Sequence, residues 1–169
     1  MSHGYTCKCC GEYKDEIPMS YGTDLPIYAE SMNPKERAKR VQGNSYLCVI
    51  DNEYCFIRGS IKIPVKDSDK EFVWGVWSSL SAENFDLIIE NWELEGREFL
   101  TKPAFGYLST PLPGYPDTMN LNMLVHTLPI GKLPIFELEK TDHPLALEQH
   151  NGITMDRVHE INKLMSEQA

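Results

Sequence analysis

The chain has 169 residues, of which 41% are hydrophobic and 24% charged, and its formal net charge is −9. The length predicts one domain, and the composition excludes a disordered chain, a collagen and a coiled coil. No apolar run reaches about 18 residues, the length that a membrane-spanning helix needs, so no membrane association is expected. The negative charge repels phosphate backbones, which argues against nucleic acid and favours a basic protein partner.

Residues 1–32 are predicted to form an irregular arm or small knuckle, followed by a single domain over residues 33–169. The N-terminus lacks a charged segment followed by an apolar one, so no secretory signal is expected. The chain has five cysteines, and this odd number makes a poor disulfide framework. It favours a reducing, cytoplasmic location.

The first half of the domain is predicted to contain a hairpin between two helices. The predicted elements are a helix over residues 34–41, strands over 45–50, 54–65 and 71–80, and a helix over 81–92. Asn33 before a proline, and Ser81, are typical N-caps. Trp74 and Trp77 are three residues apart on a strand, so we expect them on opposite faces, packed in the core.

The second half is predicted to contain more strands and two helices. The expected elements are strands over residues 104–108, 119–128 and 133–139, a helix ending near residue 152 and a final helix starting near 154. Strands and helices do not alternate regularly. We therefore predict an α+β fold with a mainly antiparallel sheet flanked by helices.

Several short motifs follow one another along the chain. They are Cys7-Lys-Cys-Cys10-Gly11, Leu47-Cys48-Val-Ile-Asp51, Phe56-Ile-Arg58-Gly59, Ile63-Pro64-Val65, Trp74-Gly-Val-Trp77, Phe105-Gly-Tyr-Leu, Pro113-Gly-Tyr-Pro-Asp117 and Asp142-His-Pro-Leu145. In this order they resemble a bacterial family known as domain of unknown function 2199. The resemblance implies a bacterial domain and no particular reaction. The chain departs from the family pattern at Tyr13 and Lys14, where the family has a histidine.

Cys7 and Cys10 have the spacing of a zinc knuckle, because two intervening residues let both thiolates reach one metal ion. Candidates for the other two ligands are Cys48, Cys55, Cys9, His3 or a later histidine. A two-residue hairpin turn would place Cys48 opposite Cys55 on the core side. The alternatives are unliganded core thiols and redox chemistry, for which the motif lacks a preceding strand.

Three further places are candidates for a binding site. The loop over residues 110–118 is stiffened by prolines and carries Tyr115 and Asp117; it is either a binding loop or a structural crossover. Arg58, in the middle of a strand, either pairs with a carboxylate or anchors an anionic ligand. His143 lies at a helix start, where capping alone explains it.

Two functions stay open from the sequence. The favoured one is a non-enzymatic binding or interaction protein, of the immunity or accessory kind, with a basic partner and an optional structural zinc. The alternative is an enzyme whose pocket combines Arg58, the 110–118 loop and His143. The sequence has no nucleophile elbow, glycine-rich phosphate loop or zinc-protease motif.

Overall fold

A computed structural model gives the fold of residues 5–6, 13–14 and 17–167. Its strands are β1 (Tyr5–Thr6), β2 (Tyr13–Lys14), β3 (Ser20–Gly22), β4 (Val41–Gly43), β5 (Leu47–Ile50), β6 (Tyr54–Pro64), β7 (Glu71–Leu80), β8 (Ala104–Tyr107), β9 (Asn122–His126) and β10 (Ile135–Leu138). Its helices are α1 (Ile27–Glu30), α2 (Pro34–Arg40), α3 (Ala82–Glu90), α4 (Arg97–Leu100), α5 (Pro144–Asn151) and α6 (Met155–Glu167). Cys7, Cys9 and Cys10 lie outside the described residues, so the zinc knuckle stays a prediction.

The helix starts predicted at α2 and α3 are confirmed. The Asn33 side chain accepts a hydrogen bond from the Glu36 backbone N–H at 2.8 Å. The Ser81 hydroxyl accepts one from the Asn84 N–H at 3.1 Å. Each cap satisfies a backbone donor that the first turn of a helix leaves unpaired, so these local sequences fix where the helices begin.

The α+β class is confirmed, but the main sheet is mixed, and the prediction of a mainly antiparallel sheet is wrong. The strand order is β3-β7-β6-β10-β9-β8, with β5 beside the first part of β6 and β4 beside β5. β3 is parallel to β7, and β10 is parallel to β6. The alternation of apolar and polar residues predicts strands, but it carries no information on which strands pair or in which direction.

The sheet curls until the chain after β8 meets β7. The Ser109 N–H donates to the carbonyl oxygen of Trp77 at 2.8 Å, and Leu108 forms an antiparallel bridge with Ser78. Gly106 permits this close approach, because a Cβ atom there would overlap the Ser78 hydroxyl. The curl brings loop residues after β8 beside a strand that is distant in sequence.

The sheet separates two apolar cores. The main core includes Ile57, Ile61, Phe72, Trp74, Val125 and Phe136. The second core, on the opposite face, consists of Ala29, Cys48, Ile50, Phe56 and Trp77. Trp74 and Trp77 are buried on opposite faces, as predicted. Full burial of a large apolar side chain contributes about 2–3 kcal/mol, so packing holds β7 from both sides.

Part of the predicted N-terminal arm lies within the main domain. β3 extends the sheet beside β7, and α1 buries Ala29 in the second core. The Tyr21 hydroxyl donates to the Asn162 side chain of α6 at 2.6 Å. Residues 17–32 therefore contribute a strand and a helix to the domain, and they cover one face of its sheet.

The hairpin between β5 and β6 has one more loop residue than predicted. Asp51 and Asn52 have left-handed φ values of 54° and 55°, and Glu53 also belongs to the loop. Cys48 therefore lies opposite Phe56 rather than opposite Cys55. A shift of one residue moves a side chain to the other face of a sheet. The predicted pairing of the two cysteines is wrong, and each lies in a different core.

Candidate functional site

Buried hydroxyl groups fix the loop over residues 110–118. Leu108 and Leu121 close its base, with the Leu108 N–H donating to the Leu121 carbonyl at 2.9 Å. The buried Thr118 hydroxyl donates to the Thr110 carbonyl at 3.0 Å and accepts from the Leu112 N–H at 3.0 Å. These contacts resemble those of an Ω-loop, which is packed by its own side chains.

Tyr115 ties this loop to the two C-terminal helices. Its hydroxyl donates to Glu148 Oε2 at 2.8 Å and accepts from the Trp74 indole N–H at 3.3 Å. Arg157 donates to the other oxygen of Glu148 at 2.8 Å. Burial, and then the Glu148 carboxylate, raise the pKa of Tyr115. The phenol therefore stays protonated and keeps donating, which makes Tyr115 a structural connection between loop and helices.

Asp117 and His143 are brought together, but through the backbone. His143 Nδ1 accepts from the Leu145 N–H at 3.1 Å and so caps α5. The proton is then on Nε2, which lies 3.1 Å from the Asp117 carbonyl oxygen. The Asp117 carboxylate accepts from the Met119 N–H at 2.9 Å. Both ring nitrogens of His143 thus join the loop to α5.

Arg58 does not join the other residues of the predicted pocket. Arg58 lies opposite Trp77 on β6, and its guanidinium is 3.9 Å from the Asp24 carboxylate. Tyr115 instead contacts Trp74. Since Trp74 and Trp77 face opposite sides of the sheet, Arg58 and Tyr115 do so as well. The structure therefore brings together the loop and His143 only.

Cys48 and Cys55 are buried thiols in different cores. Burial raises the pKa of Cys48 to about 11, and burial also raises the pKa of Cys55. Within the described ranges, no three His, Cys, Asp or Glu side chains lie close enough together to hold a metal ion. None of the helices described is long and apolar enough to cross a membrane.

A cleft of about 620 Å³ lies between the α1–α2 segment and the second-core face of the sheet. Its volume is within the range of small-molecule sites. We call it the α1–α2 cleft, and its lining residues are Tyr28, Ser31, Met32, Glu36, Arg40, Ile50, Tyr54, Phe56, Ser79, Ser109 and Asn120.

Aromatic rings form one wall of the α1–α2 cleft. The rings of Tyr28 and Phe56 have centroids 5.7 Å apart and are tilted by 38°. Tyr54 is two residues from Phe56 on β6, so both side chains are on the same face. Tyr28 and Tyr54 remain 43% and 55% exposed, whereas Phe56 is buried. Tyrosine rings of this exposure are available to a ligand without any rearrangement of the core.

Neutral polar groups also line the cleft, and one of them, Ser79, lies directly across from Phe56 on the neighbouring strand. The Ser79 hydroxyl accepts from the Tyr107 N–H at 3.2 Å, which leaves its own proton available for donation. Asn120 has a left-handed φ of 63°, a conformation that asparagine tolerates better than most residues. Aromatic walls combined with a few polar groups are typical of binding sites, where the polar groups fix the ligand's orientation.

A network of charges closes one end of the cleft. Arg40 donates to both oxygens of Asp51 at 2.8 and 2.7 Å and to Glu36 at 2.7 Å. The hydrogen bond from Arg40 lowers the pKa of Asp51, and the Asp51 carboxylate raises the pKa of Arg40. Asp51 and Arg40 therefore hold fixed charges at neutral pH, and the network combines two carboxylates with one guanidinium.

A family model for an uncharacterised protein conserved in bacteria, DUF2199, matches residues 6–153. The chain belongs to the DUF2199 family. A search of the curated proteins and of the solved structures returned no match.

The cleft of this DUF2199 chain was not recognised from its sequence. Its residues come from α1, α2, three strands and the loop around β8 and β9, and no motif joins them. The two residues that could have signalled it are Tyr54, at the start of β6, and Tyr28, within α1, both of which are exposed aromatic residues. Exposed aromatic residues are enriched at binding surfaces, but one by one they are common.

Proposed function

We propose that this DUF2199 protein is a non-catalytic binding module, and that its α1–α2 cleft receives a segment of a basic protein partner. The observation that carries this proposal is the cleft itself, with its aromatic wall, neutral polar groups and negative end. An immunity or accessory role, in which an acidic protein masks a basic one, is the biological class to which such a module belongs.

Electrostatics supports a basic partner. The chain's net charge of −9 attracts a cationic protein from a distance and raises the rate of encounter. Arg40, which lines the cleft, is shared by Glu36 and Asp51, so this network carries more negative than positive groups, like the whole molecule. Long-range attraction and this network therefore favour the same kind of partner.

The titratable groups of the cleft support binding rather than catalysis. A general acid or base works best when its pKa lies near the working pH. Here the hydrogen bonds between Asp51 and Arg40 move both pKa values away from neutral pH, because each group stabilises the charged form of the other. Such groups hold a fixed charge, which serves recognition, and they exchange protons poorly at neutral pH.

The test is an array of synthetic octapeptides that vary in lysine, arginine and glutamate content, probed at physiological salt. Three proteins are compared: the wild type, Ser31→Trp, which fills the cleft, and Ser45→Trp, a matched change at an exposed position outside it. We expect lysine- and arginine-containing peptides to bind the wild type and Ser45→Trp at least tenfold more strongly than Ser31→Trp. Equal binding by all three, or no binding, would overturn the proposal.

A structural zinc at Cys7 and Cys10 remains a separate proposal, supported by the spacing of these two thiols. Metal analysis of purified protein tests it. We expect about one zinc per chain, its loss in Cys7→Ser, and its retention in Cys48→Ala, because Cys48 is buried in the second core. Zinc far below one equivalent in the wild type would refute this proposal.

A further inference from the structure

We infer that the end of the α1–α2 cleft formed by Tyr28, Tyr54, Phe56 and Glu36 is a subsite for one organic cation, the ammonium or guanidinium group of a lysine or arginine side chain. This inference rests on the proposed binding function of the cleft and deepens it. It specifies the chemical group that the cleft recognises.

The aromatic wall has the chemistry that such a cation needs. The face of an aromatic ring carries negative electrostatic potential, and a cation within about 6 Å of the ring centre is attracted to it. Tyr28 and Phe56, with ring centroids 5.7 Å apart at a 38° tilt, form an angled pair, and Tyr54 lies on the same strand face as Phe56. The ring faces offered to a ligand are those of Tyr28 and Tyr54, which are exposed, whereas Phe56 is buried beside Tyr28.

Glu36 supplies the counter-charge. One of its carboxylate oxygens accepts from Arg40 at 2.7 Å, and the side chain is 42% exposed. Within the part of the chain that the structure describes, its second oxygen forms no hydrogen bond. This oxygen can accept a hydrogen bond from an ammonium or guanidinium group that lies against the rings.

Arg40 is a poor anchor for an anionic ligand. Its Nε and Nη2 atoms donate to Asp51 at 2.8 and 2.7 Å, in the bidentate geometry typical of strong arginine–carboxylate pairs. Its Nη1 atom donates to Glu36. Three of its five N–H groups are therefore engaged by carboxylates, and an anion that reaches the remaining two faces the net negative charge of the three groups. The subsite therefore discriminates against anions by charge.

A neutral planar ligand would stack on the same rings but would leave the second Glu36 oxygen without a charged donor, while the Arg40 guanidinium is shared between Glu36 and Asp51. Covering a carboxylate with uncharged groups costs free energy, because the carboxylate loses water and gains no opposite charge. A cation avoids this cost, since it offsets the negative charge as it displaces water. The aromatic wall and Glu36 together therefore favour a cation over a neutral ring.

In the experiment, three small probes are titrated separately into the intact protein, and their binding is measured from NMR chemical shifts. They are Nα-acetyl-lysine methylamide, which is cationic, its Nε-acetylated form, which is neutral and of similar shape, and Nα-acetyl-glutamate methylamide, which is anionic. We expect the cationic probe to shift resonances of the α1–α2 cleft, with a dissociation constant at least fivefold lower than that of either other probe.

Matched variants separate the two parts of the subsite. Tyr54→Leu removes an exposed ring and Glu36→Gln removes the counter-charge, while Tyr46→Leu and Glu83→Gln make the same changes at exposed positions outside the cleft. We expect at least fivefold weaker binding of the cationic probe in the first two variants and unchanged binding in the two controls. Equal binding of the cationic and neutral probes, or no effect of Glu36→Gln, would overturn the inference.

The outcomes also distinguish this inference from the proposed function. If octapeptides bind in a manner that Ser31→Trp abolishes, yet the cationic probe has no preference over the neutral one, the cleft is a binding site and the cation subsite is wrong. If Ser31→Trp has no effect on peptide binding, the proposed function fails as well.

Discussion

Arg97 is expected to be a main determinant of stability, although it lies far from the cleft. Arg97 is 4% exposed, and its guanidinium donates to four backbone carbonyls. The distances are 2.7 Å to Leu128, 2.8 Å to Trp92, 3.1 Å to Pro129 and 3.0 Å to Lys132. Arg97 thereby joins the segment before α4 to the loop between β9 and β10.

The magnitude follows from these four bonds. A hydrogen bond contributes about 1 kcal/mol net, and a buried carbonyl that loses its donor costs about 1–3 kcal/mol. Replacing Arg97 by methionine removes all four donors and keeps much of the apolar stem. We therefore expect the free energy of unfolding to fall by about 4 kcal/mol or more. Arg97→Lys retains the charge, but a single ammonium cannot reach four carbonyls, so we expect about half of this loss.

The assay is urea denaturation followed by tryptophan fluorescence and circular dichroism, with agreement of both probes as the check on two-state behaviour. Arg37→Met is the matched control. Arg37 also donates to three carbonyls, those of Ala29, Glu30 and Met32, but its side chain is only partly buried, so water can replace part of what the lost donors supplied. We expect Arg37→Met to cost about 1–2 kcal/mol. A loss in Arg97→Met no larger than in Arg37→Met would refute the reasoning.

Three other predictions concern the loop, the thiols and the acid range. Tyr115→Phe removes the bond to Glu148, and we expect a loss of about 1–2 kcal/mol in the free energy of unfolding, with less protection of the loop from hydrogen exchange; unchanged stability would contradict the structural role. With a pKa of about 11, the buried Cys48 thiol is almost fully protonated at pH 8. Alkylation mapped by mass spectrometry should therefore label Cys48 slowly in the folded protein and rapidly in urea. Equally fast labelling in both conditions would refute its burial. The hydrogen bond from Arg40 lowers the pKa of Asp51 in the folded protein. The stability that this pair contributes is therefore fully present above the unfolded-state pKa of about 3.9, and it is lost as the pH falls from there through the folded-state pKa. Asp51→Asn should flatten this part of the stability profile, and an unchanged acid slope would argue against the pairing.

The sequence could predict the local elements because their signals are local. Asn33 and Ser81 cap helices through bonds that span three residues, so the pattern alone shows where those helices begin. The alternation along β6 and β7 likewise placed Trp74 and Trp77 on opposite faces. The family resemblance rested on short motifs in order along the chain, and the family match is confirmed.

The hairpin between β5 and β6 is a feature whose register the local sequence does not determine. The sequence places a turn at Asp51 and Asn52, but whether Glu53 belongs to the loop or to the strand is a small difference in local preference. That single residue decides whether Cys48 and Cys55 share a face. The register of this hairpin is set by tertiary contacts, because it places Cys48 in the second core with Trp77 and Phe56.

The periodicity and capping signals of this chain determined its α+β class and the positions of most of the strands and helices that the structure describes. Only the tertiary structure decided which strands run parallel, how the sheet curls, that Arg97 is buried, and that Tyr28, Phe56 and Ser109 meet in one cleft. The physical reason is that periodicity and caps arise from neighbours along the chain. A cleft or a buried cation depends on contacts between residues far apart in sequence, and those contacts exist only once the sheet has closed.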